Sequence, residues 1–181
     1  MESHYMLREV GRCLSELVAD ILEKEFELPR SRVGLGIPGE DGQLALCIFP
    51  YDIYRNTNMP SGEAVAIGTR SLREPSTFYD ICFMLVPYSV GDLKYRREEE
   101  LRFLDILLRD LGDTRHLGEN EVDFCFDSLS FEDKARVWNA LNQPLRLALY
   151  CKAGPIEVMS GKTREIRRVT DVHMHYMEKG E

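Results

Sequence analysis

Leu44-Ala-Leu-Cys-Ile-Phe-Pro-Tyr-Asp-Ile-Tyr-Arg-Asn-Thr57 and Phe78-Tyr-Asp-Ile-Cys-Phe-Met-Leu-Val-Pro-Tyr88 are the two runs that decide the fold. In each, odd and even positions alike are apolar, so strands made from them must be covered on both faces. They predict the central strands of one sheet, with the remaining segments as its edges and cover. Between them, Arg55 to Ser76 is rich in Asn, Pro, Ser and Gly, with room for a short strand at Ala64–Ile67. A connection of that length in a compact domain is usually functional or mobile. It is the best candidate for a loop that binds a partner or bridges subunits.

Upstream, Asp41-Gly42 is a good tight turn into the first run. Val33-Gly-Leu-Gly-Ile-Pro-Gly39 spells GxGxxG. A dinucleotide site needs a strand before the glycines and a helix after them, whose amides meet the pyrophosphate. Here Pro38 interrupts the glycines, Glu40 and Asp41 would face the phosphates, and the next element is a strand, so the run reads as strand plus turn. Tyr5 to Glu25 predicts an amphipathic helix, with Met6, Val10, Cys13, Leu14, Leu17, Val18 and Ile21 on one side. Leu28-Pro29 stops it.

Downstream, roughly Lys94 to Leu111 predicts a second helix with a buried stripe of Leu101, Leu104, Leu107, Leu108 and Leu111. Glu98 with Arg102, and Asp105 with Arg109, are spaced as outward ion pairs. Glu121-Val-Asp-Phe-Cys-Phe-Asp127 alternates as a strand with one wet face. Asp123 and Asp127 stand ~13 Å apart on it, too far for a carboxylate pair. Ser130 caps a short third helix ending near Leu141, with Trp138 expected in the core. Leu145 to Ala153 then alternates as a strand.

The last strand pattern, Thr163 to Met177, is the most regular. Ile166, Thr170, Val172, Met174 and Tyr176 share one face; Glu165, Arg167, Asp171, His173 and His175 share the other. His173 and His175 point the same way, but a metal site needs a third ligand and none is nearby in sequence. Lys162, Arg164, Arg167 and Arg168 gather positive charge in an acidic chain. A free-edged terminal strand there is expected to contact a neighbouring subunit or another protein. The string of elements predicts an α/β or α+β sandwich, a mixed sheet flanked by helices.

At 181 residues, with 44% hydrophobic and 30% charged, the chain is expected to form a single domain over residues 1–181. Its net charge of −8 argues against a nucleic-acid partner, because binding phosphates needs a positive field. No apolar run reaches the ~18–20 residues that span a bilayer. The N-terminus lacks the pattern of a signal peptide, so the protein is expected to be cytoplasmic when made. Of the five cysteines, Cys47, Cys82, Cys125 and Cys151 fall in strand patterns and Cys13 in the first helix. Buried free thiols are the expectation. No GxSxG, HExxH, Walker loop or metal-spaced Cys/His set occurs. The histidines, His4, His116, His173 and His175, have no nucleophile marked beside them. No catalytic, cofactor or metal site is therefore expected.

Several stretches, taken together, resemble one family. They are the opening helix; Ile48-Phe-Pro-Tyr-Asp-Ile-Tyr-Arg-Asn56; Phe78 to Tyr88; Glu98-Glu-Glu-Leu-Arg-Phe-Leu104; Leu129-Ser-Phe-Glu-Asp-Lys-Ala-Arg-Val-Trp138; and Gln143 to Ala153. Their order and spacing resemble the N-terminal domain of the tail terminator, or cap, of phage-tail-like contractile injection systems. These are the extracellular systems of the virulence-cassette and antifeeding-prophage type. Tyr51–Asn56 is the most specific segment; Pro50 stands before it where an aliphatic residue is expected. The resemblance implies a tail-terminator-like fold and a non-catalytic hexameric ring that caps the inner tube and holds the last sheath ring. Some relatives carry a further C-terminal domain, which a chain ending at Glu181 is expected to lack. Interface residues are expected at Tyr51, Asp52, Tyr54, Arg55 and Asn56, and at Arg164, Arg167 and Arg168. The competing expectations are a small nucleotide-binding regulatory or enzymatic domain using Gly34–Gly39, and a completion protein of a true phage tail.

Overall fold

A computed structural model describes residues 6–40, 42–68, 71–89, 91–92, 94–119 and 122–165. The expectations for His4, Arg167, Arg168, His173, His175 and the strand pattern beyond Glu165 lie outside the described residues. The elements are α1 (Met6–Phe26), β1 (Val33–Leu35), β2 (Leu46–Arg55), β3 (Val65–Ile67), β4 (Ser71–Arg73), β5 (Thr77–Pro87), α2 (Arg96–Gly112), β6 (His116–Leu117), β7 (Val122–Phe126), α3 (Phe131–Ala140), β8 (Leu149–Val158) and β9 (Thr163–Glu165).

The two decisive runs are neighbours. β2 and β5 pair antiparallel from Leu46↔Pro87 to Arg55↔Tyr79 within a sheet of order β1-β2-β5-β8-β7-β6. β1 lies parallel to β2 and the other pairs are antiparallel, so the sheet is mixed. One face, including Ile48, Phe83 and Ile156, packs under α1 and α2 through Leu14, Val18, Phe103 and Leu107. The opposite face, including Cys47, Met84 and Tyr150, is covered by α3 through Trp138. That indole is buried, and its Nε1–H donates to Tyr150 Oη at 3.0 Å. Helices on both faces, with antiparallel pairing dominant, make this an α+β sandwich.

Local chemistry explains the element ends. Ser130 Oγ accepts from the Asp133 N–H at 3.1 Å and caps α3. Asn142, at φ 52°, turns the chain out of that helix in the left-handed conformation asparagine tolerates. Glu100 on α2 is buried but accepts from Arg97 at 2.8 Å and from Arg146, whose guanidinium lies 4.5 Å from the Tyr88 ring centroid. A buried carboxylate held by two arginines is expensive to break, at ~3–5 kcal/mol. It ties the segment before β8 to α2.

Several expectations are corrected. Leu101 and Leu108 are 54% and 48% exposed, and Phe103 takes their place in the core, edge-on to Phe26 at 4.7 Å. Arg102 lies over the Phe26 ring rather than pairing with Glu98, and Arg109 bonds Asp110 and Glu25 instead of Asp105. The strand expected at Leu145–Ala153 starts at Leu149 and runs on to Val158. Cys125 is exposed, because alternation along β7 puts Val122 and Phe124 inward; Cys47, Cys82 and Cys151 are buried as expected. His116 sits in a short strand, not a loop. Two-sided burial holds for Leu46–Ile48 and Ile81–Val86 but fails for Pro50 and Asp52–Arg55, while Tyr51 between them packs half-buried against the Trp138 cluster.

Candidate assembly interface

Past Phe49 the outer part of β2 runs largely uncovered, with Pro50 and Asp52 to Arg55 exposed, while Ile81 on β5 and Ile156 on β8 stay in the core. The ladders here carry two irregularities. On β2 the register shifts between Pro50 and Asp52, so Tyr51 is an extra residue opposite β5. A proline belongs at such a bulge and beside a free edge. β1 ends its pairing with β2 at Leu35↔Ile48, so Pro50 meets both conditions. On β8 the register shifts opposite Asp80. There Gly154 leaves room for the Asp80 carboxylate, since a Cβ would overlap it and stand 3.0 Å from the Asp80 Cα.

Asp80 is the buried polar centre of this part of the sheet. Its Oδ1 accepts from Asn56 Nδ2 at 2.8 Å, and its Oδ2 stands 3.7 Å from Lys152 Nζ. Asn56 Oδ1 in turn accepts from the Asn58 and Met59 N–H groups at 3.0 and 3.2 Å, closing the turn that opens the long connection. Ser76 Oγ donates to Glu157 Oε1 at 2.5 Å and closes the other end.

The predicted interface residues divide accordingly. The structure turns Asn56 inward. Tyr51 is also half-buried, edge-on to Tyr150 at 5.9 Å; burial, with the Cys82 thiol beside it, pushes its phenol well above the usual range. Burial likewise raises the Cys82 thiol. Tyr54 is exposed beside Lys152, and burial of its inner part outweighs that cation to raise its phenol. Asp52 is exposed, its Oδ1 accepting from the Ile53 N–H at 2.8 Å. Arg55 is exposed and reaches Ser61 Oγ at 3.3 Å. Arg164 is exposed on β9, opposite Leu72. Sequence reasoning missed Asp80, which looks like one acid in an apolar run, and β4, whose three residues are too few for a periodic signal.

The connection forms a second, three-stranded sheet of order β3-β4-β9, none of whose residues is buried. Val65 is 59% exposed there and Ile67 is exposed with it; Ile53 on β2, Val158 at the end of β8 and Met159 are exposed too. Three short strands without a buried face are marginal by themselves. The GxGxxG run is strand and turn: Glu40 N–H donates to Ile37 O, and the chain passes to β2 without a helix. Among the described residues, no three His, Cys, Asp or Glu side chains are grouped to hold a metal, and no helix is long and apolar enough to cross a membrane.

Comparison with known proteins bears on this architecture. The profile of the family described as "Pvc16 N-terminal domain" matches residues 14–171. The chain belongs to this family. No curated protein matches the chain. A solved structure described as the PVC sheath/tube terminator of an extracellular contractile injection system, in its extended state, is similar with a TM-score of 0.67. It is 14% identical, over 99% of this chain and 66% of that one. The anti-feeding prophage tube-terminating cap is similar with a TM-score of 0.65 and 17% identity, over 96% of this chain and 63% of that one. The chain thus spans just under two thirds of the length of these two. The likeness establishes that the family's fold runs through the main sheet and its three helices.

Proposed function

We propose that the chain is a structural terminator of a contractile injection particle, acting as a single domain without catalysis. In this reading six copies form a ring that caps the inner tube and attaches the last sheath ring. The observation that carries it is membership of the family over residues 14–171, together with a fold shared along nearly the whole chain with a protein described as a sheath/tube terminator. Two features support it. Large apolar side chains are exposed at several places on the described surface, Val65, Leu147 and Phe131 among them, as contact with other chains would require. The charge of −8 disfavours a nucleic-acid role. A ring follows from one heterologous contact repeated until it closes. Asp52, Tyr54, Arg55 and Arg164 supply contact surface, with Arg167 and Arg168 following, while Tyr51 and Asn56 shape it from behind. The particle is assembled from chains made in the cytoplasm.

Imaging particles from cells that lack this chain tests the proposal. The expected result is uncapped tubes of uneven length, restored to one length and a six-fold cap when the chain is supplied. Capped particles of normal length in its absence would refute it.

A further inference from the structure

The outward face of α2 is apolar at its centre and charged along one margin. With 3.6 residues per turn, Glu98, Leu101, Asp105 and Leu108 share one strip of the helix surface, and Arg102 and Arg109 follow beside it. Leu101 and Leu108 are exposed. Arg102 lies over the Phe26 ring at 5.6 Å and Arg109 reaches Glu25 at 2.9 Å, so this margin runs beside the end of α1. On the opposite margin Arg97 and Arg146 both bond Glu100, and exposed Leu147 stands next to them. Leu101, Leu104, Leu108 and Leu147 line a groove of about 480 Å³ along the helix.

The charges on this face are left over from pairs that the helix does not make. Glu98 and Asp105 are exposed and have no hydrogen bond or ion pair among the described residues. Along α2 the signs alternate: Glu98 negative, Arg102 positive, Asp105 negative, Arg109 positive. Set against a second copy running the same way, that order opposes like charges. Set against one running the opposite way, it opposes unlike charges throughout. Arg102 then meets Asp105 of the second copy, and Glu98 meets Arg109 of the second copy. Both pairs place the two-fold axis at one point, between Phe103 and Leu104. In that register Leu101 falls beside Leu108 of the second copy. A guanidinium has five N–H donors, so Arg109 can keep Glu25 and Asp110 and still bind a further carboxylate.

We propose that two copies of the chain associate by packing α2 against α2 in opposite directions, Leu101 and Leu108 of each lying in the groove of the other and Arg102 pairing with Asp105 across a two-fold axis. In paired helices the apolar seam supplies adhesion and the flanking charges choose partner and direction. A second copy fits because the charge order of this face complements itself when reversed. The contact is isologous, the same patch on both copies, and so stands apart from the ring, which repeats two different patches.

Sedimentation equilibrium of the full chain over a range of concentrations tests this. The expected result is a monomer–dimer equilibrium that weakens as salt is raised. Arg102→Glu and Asp105→Arg, each made alone, oppose like charges twice per dimer and should weaken it by about tenfold or more. Mixing the two variants in equal amounts matches both pairs again and should recover association at the strength of the parent. Leu101→Ser combined with Leu108→Ser should give a monomer with the circular-dichroism spectrum of the parent, since neither side chain belongs to the core. A chain that stays monomeric at every soluble concentration would overturn the proposal and assign this face to another occupant. A dimer unmoved by the charge variants, or variants that fail to complement each other on mixing, would overturn it as well. The readout is association of the free chain, so its failure leaves the terminator reading untouched, and uncapped particles bear only on the latter.

Discussion

Replacing Asn56 by alanine separates a residue that builds this end of the sheet from one that merely touches a partner. The amide donates to buried Asp80 at 2.8 Å, and the change leaves that carboxylate with Lys152 at 3.7 Å as its remaining ionic neighbour. A hydrogen bond to a charged group contributes ~1.5–3 kcal/mol. The two turn bonds to Asn58 and Met59 lie near solvent and add about 0.5 kcal/mol between them. Asn56→Ala should therefore cost about 3 kcal/mol in the isolated chain. For a chain of this size that lowers the thermal midpoint by roughly 6–12 °C. Urea unfolding at unchanged m-value is the assay. A double-mutant cycle with Asp80→Ala should return a coupling of at least ~0.5 kcal/mol. If Asn56→Ala stays within about 0.5 kcal/mol of the parent, the inward assignment is wrong and Asn56 is a contact residue after all.

Three further outcomes are expected. Leu107→Ala should cost ~2–5 kcal/mol and Leu108→Ser less than ~0.5 kcal/mol, because adjacent leucines of α2 face the core and the solvent respectively; equal losses by chemical unfolding would contradict this. Gly154→Ala places a Cβ against the Asp80 carboxylate and should cost ~1–3 kcal/mol, measured by thermal unfolding, with Asp80→Gly restoring part of it if the crowding is real. Burial holds the phenols of Tyr51, Tyr88 and Tyr150 above the usual value near 10. A phenol that ionises less readily in the fold supports folding fully below pH 10 and loses that support as pH climbs toward its folded value. Stability should then fall by ~1.4 kcal/mol per pH unit for each of the three. Phenolate absorbance of these residues should appear together with loss of the folded spectrum, not before it.

The periodicities named the central pair, the caps and the role of Trp138 because those depend on neighbours in sequence. They failed where a choice was made in three dimensions. Leu101, Leu104, Leu107, Leu108 and Leu111 cover so much of α2 that the pattern cannot say which edge of the stripe meets the sheet; Phe103, pressed on Phe26, decides it. Leu145 and Leu147 share the parity of the true strand, yet Arg146 is tied to Glu100 and the ladder begins later. Gly154-Pro155 reads as a strand breaker, but it lies within β8 because its register shift faces Asp80. Of the predicted interface, Tyr54, Arg55, Asp52 and Arg164 are on the surface. Asn56 turns its amide to Asp80, which the sequence does not reveal, because an amide that bonds inward and one that bonds outward are the same letter.

The uneven cover of β2 and β5 has a mechanical consequence. Helices cover the Leu46–Ile48 end of β2, and its exposed end is joined to the body through the β5 ladder, Leu46↔Pro87 to Arg55↔Tyr79, which continues from Thr77↔Val158 to Leu85↔Leu149. A load applied at the bare end along the strands is shared by those hydrogen bonds in parallel, as shear. The same load applied across the sheet peels them one at a time. The exposed end of β2 is therefore stiff to axial tension and easily peeled from its edge, so its resistance depends on the direction of pull.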